Sequence, residues 1–188
     1  MSKARLEAFS DGVFAIAITL LVLEIKVPSA EGGRSLGRGL LDLWPSYAGF
    51  TVSFVTIGII WVNHHAVFAS VETVDRSLLF RNLLLLLTVS FIPFPTAVMA
   101  EYLRADSGEN LAAAFYAGWF FVMGVAFRQI WPHAARNWAS RVGPGLYFTA
   151  AAVAFLNAYA SLAICGALAL YYALPQSIEQ QLSDPPAP

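Results

Sequence analysis

Asp11 and Glu24 stand at the two ends of an otherwise apolar stretch, Gly12 to Leu23. They are 13 positions apart, about 20 Å along a helix. If this segment spans a bilayer, which takes roughly 20 residues, both carboxyls cannot reach bulk water, and at least one faces protein or a water-filled path. Ionisable groups in that setting are costly enough that function is the default reading, with a partner elsewhere in the chain. The candidate partners lie in Trp61-Val62-Asn63-His64-His65. A histidine beside an acid can relay protons. Adjacent histidines point about 100° apart on a helix, so they cannot close on one metal ion as an i, i+4 pair does. The plainer chemistry is that a histidine and Asn63 satisfy polar atoms of neighbouring helices where water is absent, with Ser10 and Asp11 as the nearest partners in kind. Arg5 is the natural counter-charge for Asp11 or Glu7, and its interfacial position also suits snorkelling to headgroups. Ser10 and His64 alone do not make a nucleophile and base with an orienting third group, so enzymatic chemistry is not expected.

The elements that must position these residues are membrane helices. Of the 188 residues, 58% are hydrophobic and only 12% charged. The mean hydropathy is +0.63, more than a soluble domain of this size needs. The formal charge of −1 and the scattered Lys and Arg residues give no pull toward nucleic acid. One cysteine, Cys165, excludes an intrachain disulfide and a thiolate metal cage; no cofactor is expected. Glu7 and Asp11 acidify what would be the n-region of a signal peptide, and Pro28-Ser29-Ala30 is a poor cleavage site.

Apolar runs bounded by charge, Pro and Gly predict an all-α bundle. Its spans cover residues 8–27, 45–70, 77–100 and 110–131, with a polar loop from Pro28 to Trp44. Pro93-Phe94-Pro95 predicts a kink near the end of the third span. The final apolar stretch, Gly145 to Leu174, would be about 45 Å long as one helix, so it is either tilted or broken. Asn157 near its middle makes two short spans, 141–155 and 157–174, one of the two readings. Residues 176–188 form a polar, proline-ended tail expected to be disordered. With the N-terminus cytoplasmic, the inner segments hold Lys3, Arg5, Arg76, Arg81, Arg128, Arg136 and Arg141 and the outer ones Lys26, Arg34, Arg38 and Arg104, which favours that orientation.

The first span has two unlike faces. With Ile16 as origin and 100° per residue, Leu20 falls at about +40° and Leu23 at about −20°, whereas Asp11 falls at about −140°. Gly12 and Thr19 flank the stripe. Such a stripe suits lipid or core packing. It also suits a pore lined by copies of the helix, in which aliphatic rings form a constriction that gates by dewetting. Rings of this kind favour potassium over sodium, because potassium gives up its water more readily, and Thr19 offers hydroxyls beside them. No Thr-Val-Gly-Tyr-Gly-like filter occurs.

Three elements together carry a family resemblance: Arg5-x-x-x-Phe9-Ser10-Asp11, Trp61-x-Asn63-His64-His65, and Pro93-Phe94-Pro95-Thr96. They resemble the prokaryotic branch of the transmembrane protein 175 potassium channels, most clearly over Ala4 to Tyr102. The resemblance implies a bacterial inner-membrane protein with six transmembrane helices per subunit, assembled as a homotetramer around a pore lined by the first helix. It implies the narrowest ring at Ile16, further rings at Leu20 and Leu23, and a selectivity role for Thr19. It also implies interhelical contacts by Arg5, Ser10, Asp11, Trp61, Asn63, His64 and His65, and two spans in the final stretch. The expected function is a potassium-permeable channel of modest selectivity. The rival reading is a proton leak or proton-coupled transporter using Asp11 and His64 or His65.

Overall fold

The computed structural model describes residues 2–28, 35–105, 107–130 and 138–174. The predicted tail 176–188, part of the Pro28–Trp44 loop and the predicted inner Arg136 lie outside them. The described residues form eight α-helices: α1 (Lys3–Leu20), α2 (Leu36–Asp42), α3 (Trp44–Ala69), α4 (Arg76–Ser90), α5 (Pro93–Tyr102), α6 (Glu109–Ile130), α7 (Trp138–Ala154) and α8 (Ala158–Ala173). Among the described residues, four stretches are long and apolar enough to cross a membrane: Lys3–Glu24, Trp44–Ala69, Arg76–Tyr102 and Glu109–Ile130.

Local chemistry explains where these helices begin and end. The first begins at Lys3 rather than at residue 8, since nothing between Lys3 and Ala8 breaks a helix. It tightens into a 3-10 turn at Leu21–Glu24 and is extended by Ile25, three residues before Pro28. Residues just before a proline are pushed out of the helical region. The expected polar loop contains α2, whose Ser35 side chain accepts from the Arg38 N–H at 3.4 Å. Pro45 sits in the first turn of α3, where its missing N–H costs nothing. Asp75 caps α4, accepting from the Leu78 N–H at 2.7 Å.

The third predicted span is two helices in line. Pro93 has no N–H to give, and the Ile92 N–H turns to the Val89 carbonyl at 3.1 Å, so the Thr88 carbonyl loses the partner that a continuous α-helix would supply. Trp119 on α6 replaces it, its indole N–H donating to Thr88 O at 2.8 Å. The last apolar stretch is also divided. Asn157 caps α8 by accepting from the Ala160 N–H at 3.0 Å. Asn110 on α6 clamps the junction, accepting from the Ala158 N–H at 3.1 Å and donating to the Phe155 carbonyl at 3.4 Å.

Neighbouring spans run in alternating directions. The Lys3 ammonium at the start of α1 reaches the Ala69 carbonyl at the end of α3. The Arg81 guanidinium near the start of α4 reaches Gln129 O near the end of α6. At the opposite end, Glu101 pairs with Lys26 at 3.4 Å and Arg104 at 3.2 Å. The core lies between these ends, with Phe14, Leu21, Ile57, Phe68, Leu85, Met99, Tyr116 and Phe120 almost wholly buried. Gly49 lets α3 approach α5 closely, because a Cβ there would lie 2.7 Å from the Met99 methyl.

Candidate pore-lining face and its supporting network

One side of α1 is packed and the other is open. Leu6, Ser10, Phe14, Ala17 and Leu21 are buried against α3 and α4 and in the shared core. Ile16, Leu20 and Leu23 are 60%, 40% and 71% exposed. The separation expected from helical phase is therefore present within the chain. One refinement concerns Leu23, which lies in the 3-10 turn. Side chains three apart eclipse in that geometry, so Leu23 stands nearly above Leu20 instead of about 60° from it as in an α-helix. Thr19 is exposed beside the stripe, its hydroxyl donating to the Ile16 carbonyl at 2.9 Å. Its remaining lone pairs stay available to a passing ligand.

Behind the packed face lies a chain of polar side chains. The Ser10 hydroxyl donates to the Leu6 carbonyl at 2.9 Å and accepts from the Asn82 amide at 2.9 Å. The Asn82 carbonyl meets His64 Nε2 at 2.8 Å, a pairing in which the ring nitrogen carries the proton. All three side chains are buried. Phe14 packs edge-on to the His64 ring at 5.4 Å and Phe68 stacks on it at 4.3 Å. Three helices, α1, α3 and α4, thus share one satisfied polar chain in an apolar setting, where an unpaired group would be costly.

Ser10 and His64 accordingly meet through Asn82 rather than directly. Asp11 pairs with neither histidine, because its Oδ1 accepts the Trp61 indole N–H at 2.9 Å. Asn63, expected to join the network, makes no hydrogen bond among the described residues and lines a shallow groove with Val55, Gly58, Ile59, Val62 and Ala173. His65 is exposed and lies 6.5 Å from the Trp61 ring. Arg5 is exposed and makes no ion pair or hydrogen bond among the described residues. Among the described residues, neither Arg5 nor Asn63 therefore makes its expected polar contact with another helix.

Asn82, the bridge in this chain, belongs to none of the motifs. A signal existed: Asn82 shares an i, i+3, i+4, i+7 stripe with Leu85, Leu86 and Val89, all buried, so its amide had to find partners inside the bundle. Ser53 on α3 bonds to the Thr96 hydroxyl at 2.8 Å and to the Tyr116 hydroxyl at 2.9 Å, tying α3 to α5 and α6.

Residues 5–93 match the family described as the endosomal/lysosomal potassium channel TMEM175. A potassium channel of Streptomyces collinus is 48% identical, over 93% of this chain and 93% of its own. A potassium channel of Chamaesiphon minutus is 46% identical, over 90% of this chain and 93% of its own. The crystal structure of a lysosomal potassium-selective channel TMEM175 homologue from Chamaesiphon minutus superposes with a TM-score of 0.86 at 46% identity, covering 91% of this chain and 96% of that one. A chicken protein named endosomal/lysosomal proton channel TMEM175 is 29% identical over 92% of this chain, which spans 36% of it.

Proposed function

From the chain's membership of the TMEM175 family, whose members are ion channels and not enzymes, we propose that it forms a potassium-permeable channel in the bacterial inner membrane. Four subunits, each contributing six transmembrane helices, place α1 around a central pore, with Ile16, Leu20 and Leu23 as its constriction. The observation that carries this reading is the exposure of those three side chains on α1 and the 3-10 turn that continues it, away from the face that packs into the bundle. Small residues flank the stripe: Ala4, Ala8, Gly12 and Ala15 are all exposed, and a Cβ added at Gly12 would meet nothing within 4 Å. Small faces of this kind let helices of neighbouring subunits approach closely.

Potassium permeates because the aliphatic rings strip water from it at lower cost than from sodium, and the Thr19 hydroxyls replace part of what is lost. Selectivity is modest, since hydroxyls and dewetted rings discriminate less than an ordered carbonyl cage. The N-terminus faces the cytoplasm, supported by the excess of Lys and Arg at the end of the bundle that holds Lys3 and Arg81. The potassium flux of liposomes containing the purified protein tests the reading. Ile16→Asn wets the constriction and raises flux several-fold; equal flux in wild type and variant overturns the assignment.

A second reading is favoured by the vertebrate relatives named proton channels. In it, protons pass in place of potassium, with Asp11 and His64 or His65 as the relay. Proton flux with potassium absent on both sides, and no potassium flux under its own gradient, selects it.

A further inference from the structure

Arg5 is an exposed charged residue of α1 that makes no ion pair or hydrogen bond among the described residues. It stands 11 residues before Ile16, about 16 Å along the axis and within about 20° of the same stripe. Phe9, 53% exposed, lies between them on the same face. The other charges of these turns point elsewhere. Lys3 is spent on the Ala69 carbonyl, Glu7 lies about 180° from Ile16 and Asp11 about 140° from it. Asp11 is moreover engaged by Trp61. From α3, the element packed alongside, His65 faces the Trp61 ring.

Building on the pore assignment above, the geometry points to Arg5 as a conduction-setting residue, one from each subunit forming a ring of positive charge at the mouth of the pore nearest the α1 N-termini. The four N-terminal helix dipole ends add to that charge. A basic ring lowers the local concentration of cations before they meet the Ile16 constriction, so it throttles conductance from that side. The effect is strongly salt-dependent, because the screening length falls from about 30 Å at 0.01 M to about 3 Å at 1 M.

Single-channel conductance in planar bilayers, measured across that range of potassium chloride for wild type, Arg5→Gln, Arg5→Lys and Ile16→Asn, tests the inference. Arg5→Gln raises conductance roughly threefold at low salt, the change for a mouth potential of about one kT, and converges on wild type at high salt. Arg5→Lys keeps the charge and follows the wild-type curve. Equal conductance of Arg5→Gln and wild type at low salt overturns the inference. So does a common defect of the Gln and Lys variants or a loss of tetramer in Arg5→Gln, either of which assigns Arg5 to a specific contact between subunits. The Ile16→Asn arm separates the two levels: a changed current there with no change at Arg5 leaves the pore assignment standing and removes the ring, whereas no change in either variant removes both.

Discussion

The Asn82 amide on α4 donates to the Ser10 hydroxyl on α1 at 2.9 Å, joining residues 72 positions apart in the chain. Because the same Asn82 side chain also meets His64 on α3, the packed face of α1 is held by direction-specific bonds as well as by apolar contact. A helix surrounded by hydrocarbon gains little from hydrophobic burial against its neighbours. The hydrogen-bonded chain therefore sets which face of α1 turns inward, and so which face is left for Ile16, Leu20 and Leu23.

Asn82→Ala removes the amide donor to the Ser10 hydroxyl, which keeps its own bond to the Leu6 carbonyl, and leaves His64 Nε2 without its acceptor. The expected loss is about 1–2 kcal/mol, seen as a lower midpoint of thermal unfolding in detergent. Ser10→Ala added to it costs little more, because the pair shares one bond. Additive losses for the two substitutions would contradict the linked chain.

Asp11→Ala leaves the Trp61 indole N–H without its acceptor on the rim between α1 and α3. The expected outcome is loss of tetramer on size exclusion, with the permeation ratio of any remaining channels unchanged. A stable tetramer with altered ion preference would move Asp11 from the assembly framework to the ion path.

Leu21 and Leu23 are two residues apart in the 3-10 turn but differ completely in burial, at 0% and 71% exposed. Leu21→Ala opens a cavity in the core and destabilises the subunit by about 2–5 kcal/mol. Leu23→Ala leaves subunit stability within about 0.5 kcal/mol and changes conductance. Calorimetry and bilayer recording on the two variants check the contrast, and a shared phenotype would refute it.

Trp119→Phe keeps an aromatic ring against Phe91, whose centroid lies 4.4 Å away, but removes the donor to the Thr88 carbonyl at the break between α4 and α5. A loss of about 1 kcal/mol is expected, accompanied by faster amide exchange at the α4–α5 junction. Unchanged exchange there would show that the break needs no indole donor.

Membrane character, helical class and the two faces of α1 are legible in the residues alone. These follow from composition and from a period of 3.6 residues, which any long helix must obey. Pro93 and Asn157 likewise marked breaks through their own local chemistry, a missing N–H in one case and a capping carbonyl in the other. The tertiary structure alone decided the partners: Asn82 between Ser10 and His64, Trp61 on Asp11, Trp119 on Thr88. Among the described residues it gives Arg5 and Asn63 no hydrogen bond or ion pair. A hydrogen bond between helices depends on their relative rotation and axial offset, which the period of either helix alone leaves open. Periodicity says which face a residue occupies. Only the packed bundle says what stands opposite.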